Sequence, residues 1–88
     1  MARILVIDDD TQVRRVLARQ LALKGHSVQE AESARSGIDS LHSSPVDIVI
    51  VDIFMPDMDG LETIQELRKS GKDMPTSIII ILFSISMT

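Results

Sequence analysis

The 88-residue sequence contains no cysteine. That excludes a disulfide framework and thiolate chemistry. It also lacks an excess of positive charge: 9 Lys and Arg stand against 13 Asp and Glu, a net charge of −4. A nucleic-acid footprint is therefore not expected. The basic residues are scattered, with Arg14, Arg15 and Arg19 in one helical segment and Arg68 and Lys69 in another. Each reads as part of a solvated helix face. No long hydrophobic run is present, since the longest, residues 78–83, falls far short of a membrane span. No charged-then-apolar leader precedes the first apolar segment, so a soluble cytoplasmic protein is the expectation. There is no internal repeat. The apolar content of 44% fits a folded domain and argues against disorder.

What is present centres on residues 46–60. Ile48, Val49, Ile50 and Val51 form an unbroken β-branched run, which suits a strand buried on both faces of a parallel sheet. The run ends at Asp52, and Pro56 and Gly60 punctuate the loop that follows. A carboxylate at the carboxyl end of such a strand stands where open α/β sheets bind ligands. Alone, Asp52 reads equally well as a turn residue. The N-terminal segment alters that balance. Ile4, Leu5, Val6 and Ile7 run into Asp8, Asp9 and Asp10. Parallel neighbours bring their carboxyl ends to one edge, so Asp8, Asp9 and Asp52 can converge. Two carboxylates about 4–5 Å apart repel by roughly 3–4 kcal/mol at an effective dielectric near 20. A cation relieves that cost, and an oxygen-only set with room for water suits Mg²⁺. Asp10 reads as a helix cap.

The remaining elements follow in order. Residues 3–7 read as the first strand, and Asp10 or Thr11 opens a helix with an apolar stripe of Val13, Val16, Leu17 and Leu21. Gly25 is placed to end that helix in the left-handed region. Residues 26–31 read as a weak second strand, with His26 a surface turn residue. Ser33 caps a second helix whose inward residues are Ala34, Ile38 and Leu41, and Gly37 within it costs about 1 kcal/mol relative to Ala. His42 is likewise structural. Gly60 opens a third helix with Leu61, Ile64 and Leu67, and residues 76–85 read as a last strand. The β-α-β-α-β-α-β order implies a parallel sheet with right-handed crossovers.

Asp8-Asp9 after the first strand, with Asp52-Ile53-Phe54-Met55-Pro56-Asp57-Met58-Asp59-Gly60 after the third, resembles the receiver domain of bacterial two-component response regulators. The resemblance covers roughly residues 2–75. It implies an α/β, flavodoxin-like, doubly wound parallel sheet with strand order 2-1-3-4. It implies a signalling phosphoprotein rather than a conventional enzyme, whose Asp52 accepts a phosphoryl group from a histidine kinase or phosphotransfer protein and becomes an aspartyl phosphate. Asp8 and Asp9 match the acidic pair that holds Mg²⁺, at least one of them through water. Phe54 matches the position whose backbone carbonyl completes the metal site. Ser84 is the best match for the switch hydroxyl that follows the fourth strand, with Ser77 and Ser86 as alternatives. A metal-dependent phosphatase with an aspartate nucleophile is a competing class, but it needs a second aspartate two residues later, where this chain has Phe54.

The resemblance also implies a fourth helix, a fifth strand carrying a lysine and a fifth helix. The sequence stops at Thr88, before any of these. Lys69 and Lys72 both precede the fourth strand, so neither fills the lysine's place. The expectation is one incomplete receiver-like domain over residues 1–88, with a non-switching interaction fragment as the alternative reading. In such a domain residues 78–83, uncharged and without proline, form an edge inclined to pair with a second copy. Self-association through this strand or poor solubility is therefore expected, and a monodisperse monomer in sedimentation at high concentration contradicts it.

Overall fold

Strand β1 (Arg3–Ile7) is followed by helix α1 (Thr11–Leu23), strand β2 (Ser27–Ala31), helix α2 (Ala34–Ser43), strand β3 (Ile48–Asp52) and strand β4 (Ser77–Ile81). The computed structural model describes residues 1–52, 65–66, 68–69 and 77–81, with Asp52 and β4 described at the backbone. The third helix expected from Gly60 onward lies mostly outside this set. Within the set, Gln65, Glu66, Arg68 and Lys69 are helical and exposed.

The four strands form one sheet in the order β2-β1-β3-β4, and every pairing is parallel. This is the doubly wound arrangement expected, because the two helices cover opposite faces. Leu5 and Ile7 of β1 join Val49 and Val51 of β3 in a cluster with Ala34 and Leu41 of α2. The alternate residues Ile4, Val6 and Ile50 pack with Leu17 and Leu21 of α1. Strand side chains alternate between faces, so one helix lies on each side. Leu5, Ile7, Val49 and Val51 are fully buried, each contributing roughly 1.5–3 kcal/mol by leaving water.

The helix ends follow local chemistry. The Asp10 carboxylate accepts hydrogen bonds from the N–H groups of Gln12 (3.0 Å) and Val13 (3.2 Å), satisfying two of the unpaired donors at the start of α1. At its other end Gly25 adopts φ 94°. The Gly25 N–H donates to the Ala22 carbonyl and the His26 N–H to the Leu21 carbonyl, the paired closure that a left-handed residue permits. Ser33 caps α2 with a reciprocal Ser33–Ser36 box. His26 does more than turn the chain: its Nδ1 accepts from the Ala2 N–H at 3.0 Å, tying the start of β1 to the entry of β2.

The faces expected of α1 need correction at Val16 and Arg14. Val16 is not in the buried stripe of α1 but 61% exposed, while Arg14 and Ala18 are buried. Val13, Leu17 and Leu21 belong to either face, and the neighbouring column decides the rotation. The small Ala18 lets α1 approach the sheet, and Arg14 finds polar partners there. Gly37 of α2 has a packing reason beyond its helix cost. A Cβ at this position would stand 2.5 Å from Ile7 Cδ1 and 2.9 Å from Ile7 Cγ1.

The amino ends of β1 and β3 are clamped by one carboxylate. Asp47 Oδ2 accepts from the Arg3 backbone N–H at 2.9 Å, and Oδ1 accepts from Arg3 Nη2 at 3.2 Å. The Asp47 N–H returns a bond to the Arg3 carbonyl at 2.8 Å. Hydrogen bonding from the Arg3 side chain, then from its backbone N–H, holds the Asp47 carboxyl below the ordinary aspartate range.

Two measurements check this packing. Gly37→Ala gains about 1 kcal/mol of helix propensity but overpacks Ile7 at a cost of ~1–3 kcal/mol. The expected net outcome is a lower urea midpoint. For Asp47 the folded pKa is depressed, so its stabilisation is full above the ordinary value of about 4 and is lost as pH falls through the lower folded value. Asp47→Asn should therefore lose stability at pH 6 and flatten the decline of the urea midpoint below pH 4.

Candidate functional site

The pairing of β1 with β3 brings two acidic positions together. The register runs Ile4↔Ile48, Leu5↔Val49, Val6↔Ile50 and Ile7↔Val51. The next residue of each chain is a carboxylate, Asp8 after Ile7 and Asp52 after Val51. Adjacent strands lie about 4.8 Å apart, so the backbones deliver Asp8 and Asp52 side by side at the carboxyl edge. Strand β4 continues the edge, with Ile81 opposite Asp52.

Asp8 is 4% exposed and is fixed at three atoms. Its N–H donates to the Ala31 carbonyl at 3.1 Å, one step beyond the last β1–β2 pair. Its Oδ1 accepts from the Asp10 N–H at 2.9 Å, the two-residue closure typical of aspartate in a turn. Its carbonyl accepts from Arg14 Nη1 at 2.9 Å. Asp9 is exposed and Asp10 caps α1. Three successive aspartates thus take three different environments: buried and held, open to solvent, and committed to the helix.

The basic residues of α1 also separate. Arg15 and Arg19 are exposed, as expected of a solvated face, but Arg14 is 8% exposed. Its Nε donates to Glu30 Oε1 at 3.1 Å, while Nη1 meets the Asp8 carbonyl. Sequence reasoning assigned Arg14 to solvent. The signal available was its position four residues after the Asp10 cap, between Val13 and Leu17 of the apolar stripe.

Of the remaining expected site residues, only the backbones of Ser77 and Asp52 are described. Phe54 and Ser84 fall outside the described residues, as does Ser86, and Asp52 is described at its backbone. Ser77 opens β4 opposite Ile48, at the far end of the sheet from Asp52. Among the described residues no three His, Asp or Glu side chains group closely enough to hold a metal ion. The described donors are nevertheless of the right chemistry: all are oxygens, one buried and anchored, one solvent-facing. That combination suits a hard cation that keeps part of its water shell.

The chain matches the family profile of the response regulator receiver domain over residues 4–86. It is 42% identical over 84 residues to the response regulator MprA of Mycolicibacterium vanbaalenii, covering 96% of this chain and 36% of that protein. The Mycobacterium avium MprA is 39% identical over 84 residues, again covering 96% of this chain and 37% of that protein. The chain thus spans about a third of the length of the curated relatives it matches. Among solved structures it resembles a chain from the complex of histidine kinase ThkA with response regulator TrrA, with TM-score 0.82 and 36% identity over 100% of this chain and 75% of that one. It also resembles Thermotoga maritima TrrA in complex with Mg²⁺-BeF, with TM-score 0.77 and 28% identity over 99% of this chain and 92% of that one.

Proposed function

The chain belongs to the response regulator receiver domain family, and from that membership we propose that it is the phosphoacceptor of a two-component phosphorelay, with Asp52 as the acceptor. It is a signalling domain rather than a classical enzyme. The observation that carries this reading is the β1–β3 register, which sets Asp52 beside the buried, thrice-held Asp8.

The transfer asks for little covalent machinery. An Asp52 oxygen attacks the phosphorus of a phosphohistidine on a kinase or phosphotransfer protein. The P–O bond to Asp52 forms as the P–N bond breaks, and the electron pair leaves with the histidine nitrogen, which takes up a proton. Asp8 and Asp9, with the carboxylate of Asp52 and the backbone carbonyl of Phe54, would hold Mg²⁺. Bound there, the ion offsets the carboxylate repulsion and the charge on the transferring oxygens. Asp8 supplies a ligand whose position is set before binding, so little ordering cost remains. Asp9, open to solvent, suits a contact through water. Ser84 is the proposed switch hydroxyl.

The partner is a histidine kinase, as the ThkA–TrrA complex illustrates for a similar receiver. A cytoplasmic location fits that partner. Among the described residues, no helix is long and apolar enough to cross a membrane.

Intact mass after incubation with Mg²⁺ and acetyl phosphate tests the proposal. The parent chain should gain one phosphoryl group and Asp52→Asn none. Asp9→Asn should raise the Mg²⁺ concentration required by about tenfold or more, the scale on which losing an outer-shell partner of a metal acts. An adduct that persists on Asp52→Asn at the parent's rate removes the assignment.

A further inference from the structure

We propose that Arg14 is a positioning residue for the metal-binding loop, one that sets Mg²⁺ affinity without touching the ion. This rests on the assignment of Asp8 and Asp9 as the Mg²⁺ pair.

An arginine is costly to bury unless its donors are used. Here the guanidinium is engaged on two sides. Nε is paired with Glu30 Oε1 at 3.1 Å, and Nη1 is paired with the Asp8 carbonyl at 2.9 Å. The Glu30 side chain is 38% exposed and the Arg14 side chain 10%, so the pair runs from the surface of β2 inward to the end of β1. Glu30 stands opposite Val6 in the β1–β2 register, within the regular part of the sheet. The guanidinium therefore braces the loop after β1 against a strand that does not itself enter the acidic set.

The consequence reaches Asp9 through peptide geometry. The unit joining Asp8 to Asp9 is planar. A bond that holds the Asp8 carbonyl fixes the plane of that unit, and with it the Cα from which the Asp9 carboxylate departs. The Asp8 carboxylate is held separately, by the Asp10 N–H at 2.9 Å. Removing the guanidinium leaves Asp8 held at its N–H and its carboxylate but takes away the bond to its carbonyl, so the plane of the Asp8–Asp9 unit is less tightly set and the origin of Asp9 with it.

Arg14 also brings a positive charge to an acidic edge. Its charge is balanced by Glu30, outside the Asp8–Asp9–Asp52 set. The balance orders the loop without occupying the carboxylates proposed to bind the ion. A methionine of similar length keeps the packing of the stem but loses both bonds. A lysine keeps the charge, with its donors on a single nitrogen, but not the two-sided fork.

The test is Mg²⁺ titration of the 88-residue chain by calorimetry, with urea denaturation of each variant alongside. Arg14→Met should weaken Mg²⁺ binding about tenfold, the scale of other groups that orient a ligand from behind. Arg14→Lys should recover part of the loss. Glu30→Gln, which leaves Asp8 and Asp9 untouched, should shift the Kd in the same direction by less. A purely structural Arg14 predicts lower urea midpoints with parental Kd in every folded variant, and that result overturns the proposal. If Arg14→Met does not fold, parental Kd in both Arg14→Lys and Glu30→Gln overturns it equally. Asp9→Asn separates the two layers of argument. A parental Kd there removes the metal pair itself, and the role of Arg14 with it. A weakened Kd there beside a parental Kd for the Arg14 and Glu30 variants removes the role of Arg14 alone.

Discussion

The parallel pairing of β1 with β3 is the constraint on which the rest of the molecule depends. A slip of one residue would turn every side chain of a strand to the opposite face. Here both faces are occupied, by the Leu5–Ile7–Val49–Val51 cluster under α2 and by the Ile4–Val6–Ile50 cluster under α1. A slip would exchange the two sets and break both. The Arg3–Asp47 clamp reinforces the same register at the opposite end of the sheet. Hydrophobic packing in the middle and a charge-assisted fork at one end thus decide which backbone positions come side by side at the other end. Those positions, one step past the Ile7–Val51 pair, are Asp8 and Asp52.

The helices act on the site through the sheet. Helix α2 approaches so closely that a Cβ at Gly37 would press on the side chain of Ile7, the last strand residue before Asp8. Helix α1 starts on the Asp10 cap and returns Arg14 to the Asp8 carbonyl. Asp8 therefore lies between a packed apolar layer below and a hydrogen-bonded loop above. Its burial is tolerable because its main-chain groups are satisfied and its Oδ1 accepts the Asp10 N–H.

Much of this was legible in the sequence because it is local. The β-branched runs ending in aspartate, the Asp10 and Ser33 caps and the closing Gly25 each depend on a few consecutive residues. The structure reproduces them, along with the sheet order. What was not legible depends on contacts distant in sequence. The spacing of Val13, Leu17 and Leu21 fixes a helix but leaves its rotation open by one column. Hydrophobicity favours Val16 for that column, whereas the structure uses Ala18 and Arg14. A buried arginine cannot be foreseen from α1 alone, since its partner Glu30 belongs to β2 and its acceptor is a main-chain oxygen. Gly37 likewise looks like a helix defect until Ile7 is placed beneath it. The Asp8–Asp9 pair was visible, but their different burial was not, because alternation does not extend past the strand end.

The electrostatic design follows from these placements. An edge that gathers carboxylates must either lose them to protonation or compensate them. A lysine or arginine bonded directly to the acidic set would compensate it permanently and compete with any divalent ion. The Arg14 guanidinium instead meets a main-chain oxygen and the remote Glu30, so the order it imposes falls on the peptide plane. The net charge of −4 adds a diffuse attraction for cations, screened within about 8 Å at physiological ionic strength. Long-range attraction therefore does little to select the site. On the proposed Mg²⁺ assignment, selection falls to short-range geometry: an Asp8 held at three atoms, an Asp9 whose origin Arg14 is proposed to set, and a β3 whose register cannot shift without dismantling both faces of the core.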